Sequence, residues 1–211
     1  MKKSKDKLKR LIMLALFSAI LLVMSYTPLG YLNIGPLAIT FNIIPVALAA
    51  VTLGPSGGAI VGAVFGITSF LQCMGIGGTS AMGVILFEIS PLLTFIQRFV
   101  PRMLDGFIIG YVYKCMKKLT NTAVACSVAG FCCALFNTVF FMLSLVFLFG
   151  NTEYIKNLID GRNIIIFICT FVGINAVFEM IASTLLTGAI GTALFKAKVV
   201  PQTLEKRGDK K

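Results

Sequence analysis

The 211-residue chain is 57% apolar and only 13% charged, with a mean hydropathy of +0.93. A soluble domain carries about 25% charged residues, so this chain cannot cover itself with a water-facing surface and reads as an all-α, polytopic membrane protein. It has no histidine, which excludes a Ser-His-Asp triad, His-based general-base catalysis and most zinc sites. The net charge of +11 is concentrated beside apolar runs, so membrane topology explains it and a nucleic-acid partner is not required.

A membrane-crossing helix needs about 20 mostly apolar residues. The first candidate, Leu11–Tyr26, follows Lys2, Lys3, Lys5, Lys7, Lys9 and Arg10 and stops at Pro28. Its basic start is like a signal-peptide n-region, but Ser25-Tyr26-Thr27-Pro28 is a poor small-residue cleavage site, so it reads as a retained helix. A shorter second span, Ile39–Leu53, is interrupted by Pro45. The turn Gly54-Pro55-Ser56-Gly57 leads into a third, Gly57–Met74. Phe99–Met116 forms a fourth, opened by Pro101 and closed by Lys114, Lys117 and Lys118. Thr122–Phe149 and Ile164–Phe195 complete six, both long enough to tilt or protrude. Between the third and fourth lies Met82–Phe95, apolar but carrying Glu88, Ser90 and Pro91.

The positive-inside rule decides the status of that segment. With six spans and both ends cytoplasmic, all of the 19 basic residues except Arg98, Arg102, Lys156 and Arg162 lie inside. A seventh span would carry the interior lysine cluster and the tail of Lys196, Lys198, Lys206, Arg207, Lys210 and Lys211 to the outside. Met82–Phe95 is therefore expected to be an outer loop or a re-entrant element. The expected architecture is one domain, 1–211, with a six-helix bundle over about 9–195 and basic cytoplasmic tails at 1–8 and 196–211. The six cysteines are scattered, with no C-x-x-C pair, and read as small apolar helix residues.

Two features stand out within the spans. Small residues recur at four-residue intervals: Ala15 and Ala19 in the first helix, Gly54, Gly58, Gly62 and Gly66 into the third, and Gly106 and Gly110 in the fourth. Such stripes let helix backbones approach closely in lipid. The glycines read as packing within the chain; the alanine pair fits internal packing and a partner's helix equally. The second feature is polar residues at membrane depth, where a charge costs about 2.5–3.5 kcal/mol and normally faces a cavity or the bundle interior. These are Asn42, Gln72, Arg98, Arg102, Asp105, Asn137, and Asn175 with Glu179 one turn later. Glu179 needs a partner, and Arg102 is the natural one. The glycine-rich Gly75–Gly78 and Thr79–Gly83 add a connection with the makings of a lid.

No P-loop, G-x-S-x-G or H-E-x-x-H motif is present, so no catalytic residue, metal ligand or cofactor is assigned and the chain is not expected to be an enzyme. Nor do two inverted halves, common in free-standing secondary transporters, appear.

Taken in order, Ala15-x-x-x-Ala19, the block Ile39-Thr40-Phe41-Asn42-Ile43-Ile44-Pro45-Val46, Leu53-Gly54-Pro55 leading to Gly62-x-x-x-Gly66, Val100-Pro101-Arg102, Phe136-Asn137-Thr138, and Asn175 with Glu179 resemble the substrate-binding S components of energy-coupling factor (ECF) vitamin transporters. The block and the Leu-Gly-Pro turn are most similar to the pantothenate-type members. The resemblance covers about Lys9 to Phe195. It implies a six-helix bundle in the bacterial cytoplasmic membrane that binds a vitamin on the extracellular side. It also implies docking, through Ala15 and Ala19, onto a transmembrane scaffold protein driven by two cytoplasmic ATPase subunits. On this reading Arg102, with Arg98 second, takes the vitamin carboxylate. Asn137, Asn175 and Glu179 take its hydroxyls and amide, with Gln72 and Asn42 nearby. Riboflavin or folate as ligand, or a small channel or intramembrane enzyme, are the alternatives.

Overall fold

The computed structural model describes residues 2–34, 37–78, 80–159 and 164–200. Among them the elements are α1 (Lys2–Ser25), β1 (Tyr31–Ile34), β2 (Leu37–Thr40), α2 (Ile43–Leu53), α3 (Pro55–Cys73), α4 (Ala81–Ile89), α5 (Pro91–Leu119), α6 (Thr122–Phe149), α7 (Glu153–Ile159) and α8 (Ile164–Lys196). Arg162, the basic residues after Val200 and the Cys169 side chain lie outside the described residues.

Helix α2 is the axis of the fold. Every residue from Ile43 to Leu53 is buried, as befits a helix that is apolar all round, and it packs against α1, α3, α5, α6 and α8. At 11 residues it rises only about 16 Å, whereas α5, α6 and α8 run to 29, 28 and 33 residues. The surrounding helices therefore continue past both ends of the axial helix, and a hollow is left at each end.

The glycine stripes bring α3 and α5 together backbone to backbone. A Cβ at Gly58 would collide with the Gly106 carbonyl, one at Gly62 with the Arg102 carbonyl, and one at Gly66 with the Phe99 Cα. Only hydrogen fits at these positions, which fixes the rotation of α5 about its axis. Helix α1 buries Met13, Phe17, Leu21 and Ser25, one residue per turn. Its opposite face exposes Ala15 and Ala19 beside Leu11, Ile12, Leu16 and Ile20. The alanine pair is thus not used for packing within the chain.

Lys5–Ser25, α3, α6 and Asn175–Lys196 of α8 are each long and apolar enough to cross a bilayer. Helix α5 is longer than any bilayer requires but holds Arg98, Arg102 and Asp105 along its buried side. The Arg10 guanidinium donates to the Ser56 hydroxyl at 2.5 Å, and the Lys117 ammonium to the Thr122 hydroxyl at 2.6 Å. The start of α1, the α2–α3 turn, the end of α5 and the start of α6 therefore share one end of the bundle, as does the end of α8. This is the terminal end; the hairpin marks the other.

Several expectations are corrected. Among the described residues the regular structure is helical except for an antiparallel hairpin pairing Tyr31 with Thr40 and Ile34 with Leu37. Ile39 and Thr40 therefore belong to a strand, and the second helix begins at Ile43. Pro45 falls in its first turn, where a missing N–H costs nothing. Met82–Phe95 is helical apart from Ser90, which removes the loop and leaves the other alternative, an element packed against the bundle. Its first part is α4, capped by the Ser80 hydroxyl accepting from the Gly83 N–H, so Gly83 is helical too. Its second part opens the fourth long helix, where Ser90 caps and Pro91 occupies the first turn. That helix starts eight residues before Phe99, and Pro101 lies inside it.

Candidate ligand-binding site

The hollow at the hairpin end has a volume of about 550 Å³, within the range of small-molecule sites. It is lined from α1, the hairpin, α3, the segment before α4, and α5, α6 and α8. Six of the seven residues singled out for binding line it: Gln72, Arg98, Arg102, Asn137, Asn175 and Glu179. Asn42 does not. It sits fully buried behind Tyr31, and neither atom of its amide has a hydrogen-bond partner.

Arg98 and Arg102 lie one turn apart on α5, 5% and 6% exposed. The Arg98 guanidinium stands 5.1 Å from the Phe141 ring centre and donates to the Ser80 hydroxyl at 3.4 Å. That of Arg102 lies 4.7 Å from Phe65 and 5.4 Å from Phe141, and donates to the Arg98 carbonyl at 2.9 Å. The Nε of each arginine is buried without a partner. Cation–π contacts offset part of the desolvation of these charges, but they do not neutralise them.

The expected Arg102–Glu179 pair is not formed. Among the described residues no ion pair exists; instead Glu179 Oε1 accepts the backbone N–H of Thr40 at 2.7 Å. One carboxylate oxygen thereby holds the hairpin against α8, because the strand brings an N–H, unused by the two-stranded ladder, directly over it. Asp105, one turn below Arg102, is equally unpaired by charge. Its Oδ2 accepts from the Cys133 thiol at 3.2 Å, and its Oδ1 has no partner. Cys133 is thus a donor as well as a small apolar residue.

Sequence reasoning missed Tyr31, Phe65 and Phe141. The Tyr31 hydroxyl is buried without a partner of good geometry, facing the side chains of Asn42 and Gln72. As an uncharged phenol the group can donate as well as accept. Only the hairpin could have disclosed it. The two phenylalanines are indistinguishable in sequence from the other sixteen of the chain's 18. Gln72 is oriented by donating to the Ser25 carbonyl at 2.7 Å. Over the mouth runs the 74–78 segment, where Gly75, Gly77 and Gly78 take positive φ and a Cβ at Gly77 would collide with the Tyr26 ring.

Residues 9–191 match the model of the family described as ECF transporter, substrate-specific component. The chain is 31% identical over 202 residues to a protein named pantothenate transporter PanT from Leuconostoc mesenteroides subsp. mesenteroides, covering 90% of this chain and 94% of that one. It is 29% identical over 206 residues to the pantothenic acid transporter PanT of Lactococcus lactis subsp. cremoris, covering 92% and 97%.

Proposed function

The chain belongs to the substrate-specific components of ECF transporters, multi-pass membrane proteins rather than enzymes, and we propose that it captures pantothenate in the hollow at the hairpin end. The observation that carries this reading is the charge count of the cavity. Arg98 and Arg102 are buried without ion-pair partners, and among the described residues Glu179 is the one acidic residue on the wall. As ionised groups the three leave a single positive charge, which one ligand carboxylate neutralises. Pantothenate has one carboxylate, two hydroxyls and an amide. The arginines take the carboxylate, with their free Nε–H groups as donors. Asn137, Asn175, Gln72 and the Tyr31 hydroxyl take the remaining polar groups, and the second oxygen of Glu179 accepts from a hydroxyl. Riboflavin and folate ask for an open aromatic slot, whereas Phe65 and Phe141 already face guanidinium groups.

In this reading α1, α2, α3, α5, α6 and α8 are the six spans, the short α2 being completed by the hairpin. The basic terminal end faces the cytoplasm of a bacterial cell, and the hairpin end opens outside. The exposed Ala15–Ala19 face of α1 docks on the transmembrane scaffold, and two ATPases supply the energy for which this sequence has no P-loop.

Binding of radiolabelled pantothenate to the solubilised chain tests this. We expect binding without ATP, competition by unlabelled pantothenate, and none by riboflavin or folate. The uncharged alcohol analogue should bind tens- to thousands-fold more weakly, since it leaves both guanidinium groups unpaired. Equal binding of acid and alcohol overturns the proposal.

A further inference from the structure

The hollow at the terminal end, about 850 Å³, is the larger of the two and has no part in vitamin capture. Lys114, Lys117, Lys118 and Lys196 converge on it from the ends of α5 and α8, and no acidic residue lines it among the described residues. Membrane topology accounts for the sign of these charges, but not for their gathering around a concave site. Nor do they cancel locally: Lys117 is held by the Thr122 hydroxyl at 2.6 Å, and Lys114 by the face of Tyr111 at 5.3 Å, both neutral partners. The first turn of α6 also lines the hollow, which adds the positive end of a 28-residue helix.

Depth identifies the anion. From Arg102 to Lys117, and from Glu179 to Lys196, the helices rise about 22–25 Å. The two hollows thus sit near opposite faces of a hydrocarbon layer about 30 Å thick. At the second face the abundant anion is lipid phosphate. The route for an acyl chain is present as well: Leu104, Phe107 and Tyr111 are exposed at 42%, 42% and 52%, and with Lys114 and Lys118 they follow one face of α5 at alternating spacings of three and four. A headgroup in the hollow would leave its tail lying along that strip.

We propose that this hollow binds the phosphate of an anionic phospholipid, with Lys114, Lys117, Lys118 and Lys196 as its cationic shell and the Leu104–Phe107–Tyr111 strip as its acyl seat. The recognised chemistry is a phosphate anion, and the test separates lipid from free phosphate.

The full chain, purified from mixed micelles of phosphatidylglycerol and phosphatidylcholine in equal amounts, is read by native mass spectrometry. The expectation is one retained phosphatidylglycerol, favoured about tenfold over phosphatidylcholine and undisturbed by excess inorganic phosphate. The triple variant Lys114→Gln, Lys117→Gln, Lys196→Gln should bring the ratio to about one, and the corresponding triple arginine variant should keep it. Thr192→Glu, which places a carboxylate on the wall of the hollow without removing any lysine, should act like the glutamine variant and keeps the test valid if that one does not fold. An unchanged ratio in the glutamine variant or in Thr192→Glu overturns the proposal. So does displacement of the lipid by inorganic phosphate, which would make this a free-anion site. Pantothenate binding is measured alongside, and its loss in wild-type protein leaves the lipid result standing, so the two readings fail separately.

Discussion

The two ends of the axial helix α2 are both cationic hollows, built in different ways. At the hairpin end the charges are arginines, 5–6% exposed, held against aromatic rings with their Nε groups unpartnered. At the terminal end they are lysines, three of the four exposed. A guanidinium is weakly hydrated and presents a planar fork, so it can be stripped of water and still address a carboxylate in a defined geometry. An ammonium on a four-carbon stem stays wet and adjusts to whatever phosphate approaches. On the two proposals made above, the same sign of charge serves stoichiometric recognition at one end and an adaptable anion seat at the other.

Breaking the recognition end directly should have the largest effect. Arg102→Ala is expected to lower pantothenate affinity by about 2–5 kcal/mol with little change in thermal stability, and Arg102→Lys to restore only part of it. Because no Arg102–Glu179 ion pair exists, adding Glu179→Gln should not rescue binding. Recovery of both affinity and melting temperature in the double variant would restore the ion-pair reading, and affinity measured beside a melting curve decides the matter.

Next comes the strand that closes this end. Thr40→Pro removes the N–H that meets the Glu179 carboxylate, a hydrogen bond to a charged group worth about 1.5–3 kcal/mol. The faster ligand dissociation that should follow is measurable by filter binding after dilution. Thr40→Val keeps the N–H and should dissociate close to the wild-type rate. Equal rates for the two variants would mean that the hairpin is held by something else.

A smaller loss is expected where α3 and α5 touch. A methyl group at Gly62 meets the Arg102 carbonyl, so Gly62→Ala should destabilise the protein by about 1–3 kcal/mol. By shifting α5 it should also weaken vitamin binding, leaving phosphatidylglycerol retention at the distant end intact. A melting curve and the two binding measurements on one preparation test this sharply.

The smallest effect on affinity, none, is expected on the face that belongs to neither hollow. Ala15→Leu and Ala19→Leu leave the exposed side of α1 outside the packed core, so binding by the solubilised chain should persist. Uptake by cells carrying the whole transporter should nevertheless collapse, because the added bulk blocks close helix approach. Loss of binding in the isolated chain would return these alanines to internal packing.

Much of the molecule was legible in the sequence. Its membrane class follows from 13% charge, because too few polar groups exist to cover a water-facing surface. The long helices follow from apolar runs of bilayer length, and the glycine stripes from a period that matches the helix turn. Six cavity residues were recoverable one at a time, since a polar side chain at membrane depth is rare enough to be noticed alone. Other features had no local signal. The hairpin ends in Ile39-Thr40, which read as the start of an apolar helix, and α5 begins early because Ser90-Pro91 outweighs the apolar continuity across it. The partnership expected of Arg102 and Glu179 rested on opposite charge, whereas distance decides ion pairs, and distance is set by how α5 and α8 each seat on α2. Tyr31, Phe65 and Phe141 were invisible for the same reason. Composition and periodicity report what each segment prefers by itself. Which side chains meet, and that an 11-residue axis leaves a hollow at both ends, depends on elements far apart in sequence packing to contact.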